Sequence, residues 1–134
     1  MINEYLIPAL KTEFVGWEIT FDVPPQPVAT FPARQEAVGR VSIYDEGEEV
    51  TVEIEKITHG HFSQHDATLP DDEKAKRITK DVIDFLRALF SDRVVLFTAA
   101  DKRYGGWKRL DLKEGPAGLS PSDRSFLWSR PYTT

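Results

Sequence analysis

The amino-acid sequence predicts an α+β fold: a mainly antiparallel sheet of about five strands, one long amphipathic helix packed on one face, and short terminal helices. Three observations carry this. Residues 41–54 alternate apolar and polar on either side of a glycine-containing acidic turn. Residues 68–92 instead repeat their apolar positions every three or four residues. The run RVVLFTA, residues 93–99, is short, apolar and rich in β-branched residues, as a central strand requires.

Taken in order, residues 3–14 predict one or two helical turns, with Pro8 tolerated only near a helix start. In WEITFDV, Trp17, Ile19, Phe21 and Val23 alternate with Glu18, Thr20 and Asp22, which predicts a half-buried strand. PPQPVATFPA holds four prolines in ten residues and reads as an extended crossing or edge segment, because proline cannot donate to a sheet ladder. Val41 and Ile43 before DEGE, and Val50, Val52 and Ile54 after it, predict a β-hairpin whose glycine takes positive φ. Its outward residues Thr51, Glu53 and Glu55 give the sheet one polar face.

Thr68 and Asp71, an early proline and three acids predict a helix N-terminus. Ala75, Ile78, Val82, Leu86, Leu89 and Phe90 then form the apolar stripe of about five turns. GGWKRLDL predicts a strand pairing with the one before it, across the polar loop ADKRYGG. Ser120, Pro121 and Asp123 predict a short final helix, and Phe126, Leu127 and Trp128 are apolar enough to pack back on the body.

Residues 1–134 are the length of one domain, with an ordinary share of hydrophobic (40%) and charged (29%) residues. The formal charge of −5 argues against binding duplex nucleic acid, which takes a positive field to displace counterions. No cysteine is present, which excludes thiolate metal sites, disulfides and cysteine nucleophiles. No signal peptide or apolar membrane span is evident, so a cytoplasmic location with no membrane partner is expected. Nucleophile elbows, Ser-x-x-Lys and His-Glu-x-x-His motifs are absent, and neither acidic run has EF-hand spacing.

Two clusters remain as candidate sites. The stretch 57–66, ITHGHFSQHD, contains all three histidines. On a regular strand His59 and His61 share a face, and His65 with Asp66 could close a ligand set for a divalent transition metal. The inward residues of the preceding strand are even-numbered, however. Either a bulge near Lys56 switches the faces, or both histidines lie on the polar side. The stretch 101–109 gathers basic residues around Tyr104 and Trp107, residue types that anchor partners.

The function expected from these observations is a non-enzymatic protein-binding or accessory module, with Arg103, Tyr104, Trp107 and Lys108 as docking residues and no cofactor. A homodimer is one form such docking can take. The alternative is a metal-binding domain or metal-dependent enzyme using His59, His61, His65 and Asp66, and a third reading is a small-ligand binder using the basic loop.

Overall fold

Apolar spacing decides which elements form and which way they face. The computed structural model describes residues 2–99, 105–110 and 124–132. In chain order these are α1 (Ile2–Glu13), β1 (Thr20–Phe21), β2 (Ala29–Phe31), β3 (Val41–Asp45), β4 (Glu49–Ile54), β5 (Thr58–Ser63), α2 (Asp71–Phe90), β6 (Val94–Thr98), β7 (Gly105–Arg109) and β8 (Arg124–Phe126). The fold is α+β, with β1 to β5 forming one antiparallel meander in sequence order. A second, three-stranded sheet has the order β7-β6-β8.

The hairpin β3–β4 forms as its alternation predicts. Val41, Ile43, Val50, Val52 and Ile54 are all buried. At its tip, Gly47 adopts φ 91° and donates its N–H to Asp45 Oδ1 at 2.9 Å. That backbone conformation is one a β-carbon disfavours, which explains the glycine. The apolar stripe of α2 is buried from Ala75 to Leu89, and the helix packs on β4 and β5. Side chains from α1, α2 and both sheets share one hydrophobic cluster.

Several local expectations are corrected. The first helix runs for 12 residues with Pro8 inside it; Pro8 is exposed while Ile2, Leu6 and Leu10 are buried, so burial of the opposite stripe outweighs one missing backbone bond. WEITFDV contributes only Thr20 and Phe21 to the sheet, because Gly16 turns the chain at φ 83° before it and a Pro24–Pro25 pair follows. The proline-rich segment supplies β2, an interior strand between β1 and β3; Ala29–Phe31 is its proline-free piece, with Pro27 and Pro32 outside the ladder.

Thr68 is not the cap of α2. Pro70 occupies that position with no side-chain cap bond, and Thr68 instead donates both its N–H and its hydroxyl to Asp66 in the turn before the helix. Phe126, Leu127 and Trp128 do pack into the body, but as β8 and the turn after it rather than as a helix. Pairing with the open edge of β6 satisfies that backbone instead. Ser120, Pro121 and Asp123 lie outside the described residues.

α1 and α2 lie side by side and run in the same direction. Lys76 stands over the Tyr5 ring near one end, and Arg87 pairs with the Glu13 carboxylate near the other. Where the two sheets meet, Trp107 of β7 packs beside Gly60 of β5 and against Phe85 of α2, with 4.6 Å between the two ring centroids. A glycine inside a strand marks such a close approach, and this is why Gly60 separates two histidines.

Candidate functional site

The β4–β5 register decides where the histidines point. It pairs Ile54 with Thr58, Glu53 with His59, Thr51 with His61 and Glu49 with Ser63, with no slip near Lys56. His59 and His61 therefore occupy the polar outer face with Thr51 and Glu53, while Phe62 lies on the side of the core. Small polar residues pave the centre of that face: Ser42 and Thr51 are both buried beneath their longer neighbours.

The two imidazoles stand edge to face with centroids 5.0 Å apart. His61 Nδ1 lies 3.0 Å from Thr51 Oγ1 and 3.4 Å from Glu49 Oε1. The Thr51 hydroxyl donates to Glu46 Oε1. Its one proton is thereby used, so it accepts from His61, which places the His61 proton on Nδ1. The Nε2 lone pair of His61 is left for another partner. Glu46, Glu49 and Thr51 thus join the cluster, and of these the hairpin's alternation predicts only Thr51 on the face the histidines share.

His65 and Asp66 are held elsewhere. His65 Nε2 is 2.9 Å from Ser63 Oγ, and its ring lines a cavity of about 340 Å³ between the hairpin tip and the start of α2. The Asp66 carboxyl is held below its ordinary range by the hydrogen bonds from the Thr68 hydroxyl and then its N–H. Among the described residues no group of three or more His, Asp or Glu side chains is arranged to hold a metal ion.

The expected docking loop is placed only in part. Arg103 and Tyr104 lie outside the described residues. Trp107 is half-buried and belongs to the edge of the core, and Lys108 lies on the same strand. The exposed large hydrophobic residues lie instead at the opposite end of the five-stranded sheet, before and around β1.

Val15 (79% exposed), Trp17 (47%), Phe21 (36%) and Val23 (69%) are the large hydrophobic side chains exposed among the described residues, and they fall within nine positions of sequence. Trp17 is anchored from below by Phe14, Phe31 and Phe90, with centroids 5.1, 6.2 and 5.0 Å from its ring. Beside it opens a cleft of about 260 Å³, lined by Phe31, Pro32 and Trp128 together with Glu18 and Arg34. The alternation of WEITFDV predicts a half-buried strand, whereas Trp17, Phe21 and Val23 of its apolar set are exposed. No family model, curated protein or solved structure matches this chain.

Proposed function

We propose that this protein is a non-enzymatic protein-binding module that engages its partner through the apolar stretch Val15–Val23 at the β1 edge. The observation that supports the reading is the concentration of exposed large hydrophobics there, around a tryptophan already fixed by three rings. Grouped apolar exposure is costly in water and marks interaction surfaces, and a rigid tryptophan loses little entropy on binding. The cleft beside Trp17 suits one apolar side chain of the partner, flanked by polar contacts to Glu18 and Arg34.

The partner meets side chains rather than adding a strand. β1 is only two residues long and runs into prolines, features that discourage edge-to-edge pairing. The reading includes the cytoplasmic location expected from the sequence. Among the described residues no helix is long and apolar enough to cross a membrane.

The test is quantitative affinity capture with the wild type and the double variant Val15→Glu, Val23→Glu. Both positions are far out in solvent, so the fold should be unaffected. A protein retained by the wild type and depleted at least tenfold from the variant supports the reading. Equal retention overturns it, and so does a wild type that associates only with itself.

A further inference from the structure

We propose that His59 and His61 form a two-histidine chelate for a divalent transition-metal ion on the outer face of the sheet, a site independent of the apolar edge. The geometry carries the proposal. Zinc-class ions bind imidazole nitrogen at ~2.0–2.1 Å, so two rings bound to neighbouring positions hold their centroids about 4.5–5 Å apart. The observed separation is 5.0 Å, with the ring planes at 79°. Both residues lie on one face of β5 at alternate positions, so rotation about their side-chain torsions can turn the two rings toward a shared ion.

The surroundings of His61 match what a metal-binding histidine needs. Its Nδ1–H is given to Thr51 Oγ1, which in turn donates to the Glu46 carboxylate, and Glu49 Oε1 lies 3.4 Å from the same nitrogen. A chain from imidazole through a hydroxyl to a carboxylate fixes the tautomer and the ring orientation, leaving Nε2 as the nitrogen that would take the metal. Glu53, paired across the strands with His59, adds a further carboxylate to this face. The carboxylates lower the cost of bringing a dication to the surface.

The site differs from a closed zinc centre. The protein supplies two nitrogens and the remaining positions go to water, so the ion is exchangeable and open to an incoming ligand. Imidazole ligands select copper, nickel and zinc, and Cu²⁺ should bind more tightly than Zn²⁺. His65 lies outside the chelate, turned toward Ser63.

Calorimetric titration of untagged protein with CuCl₂ and with ZnCl₂ tests this directly. The expected result is one equivalent of either ion, with copper the tighter. His59→Gln and His61→Gln should each weaken binding at least tenfold, and His65→Gln should leave it unchanged. Thr51→Val should weaken binding about tenfold through the lost support of His61, and Thr51→Ser, which keeps the hydroxyl, should restore it. Circular dichroism of each variant separates loss of the site from loss of the fold. Absence of saturable binding to the folded wild type overturns the proposal, as does His59→Gln or His61→Gln within twofold of the wild type. Equal losses in His65→Gln and His61→Gln also overturn it.

Discussion

Gly105 marks a close approach of the second sheet to the first, and replacing it with alanine probes that junction. A β-carbon built there falls 1.9 Å from the Ile57 carbonyl oxygen and 3.1 Å from the Phe97 carbonyl oxygen. Non-bonded contact wants about 3.5 Å, so the strands must separate by on the order of 1 Å or more. Neither side yields easily: Ile57 sits in the tight turn joining β4 to β5 and donates its N–H to the Ile54 carbonyl, and β7 is paired to β6. Overpacking costs about 1–3 kcal/mol, and the obstacle here is backbone, so Gly105→Ala should cost about 2–3 kcal/mol. For a chain of this size that lowers Tm by about 8–12 °C. Gly60→Ala is the control, because its β-carbon would meet Trp107 Nε1 at 3.4 Å and the Phe62 ring at 3.7 Å, close to ordinary contact. Its cost should stay below about 1 kcal/mol. Thermal unfolding followed by circular dichroism reads both. A Gly105→Ala protein within about 2 °C of wild type, or equal losses in the two variants, would refute the described approach of β7 to the β4–β5 turn.

Other consequences follow from the same contacts. Arg87, by its hydrogen bond, holds the Glu13 carboxyl below its ordinary 4.5. A carboxylate with a lowered folded-state pKa stabilises the fold above that ordinary value and loses its contribution as pH falls through the lowered one. Glu13→Gln should therefore flatten the loss of stability between neutral and acid pH, measured by urea unfolding at several pH values; an unchanged profile would show that the α1–α2 pair contributes nothing. Phe31 is almost fully buried and touches Phe14, Trp17 and Phe90, so Phe31→Ala should cost about 3–5 kcal/mol in the same assay. Val15→Glu should change stability by less than about 0.5 kcal/mol, since its side chain is largely in solvent.

The sequence was legible where period and punctuation agreed. Val41 to Ile54 alternate around Gly47 and form the hairpin; Ala75 to Leu89 recur at helical spacing and form the buried stripe of α2. Strand parity also limited the histidine cluster, because odd positions opposite Thr51 and Glu53 had to face outward unless a bulge intervened. Legibility failed where distant contacts decide the outcome. Nothing local says that Trp17 packs against Phe14, Phe31 and Phe90 rather than continuing a strand to Val23. Nothing local says that Phe126 pairs with Leu96, a residue 30 positions earlier, rather than continuing a helix. The hydroxyl relay from His61 through Thr51 to Glu46 was hidden for the same reason: it joins β5 to the hairpin tip, and only the register reveals it.

Site-specific photo-crosslinking tests the proposed docking surface most directly. A photoreactive side chain at Val15 or Val23 should yield one discrete crosslinked partner in cell extract, absent from Lys80 on the exposed side of α2. No crosslink from either valine, or the same products from Lys80, would contradict the assignment of the Val15–Val23 edge as the binding surface.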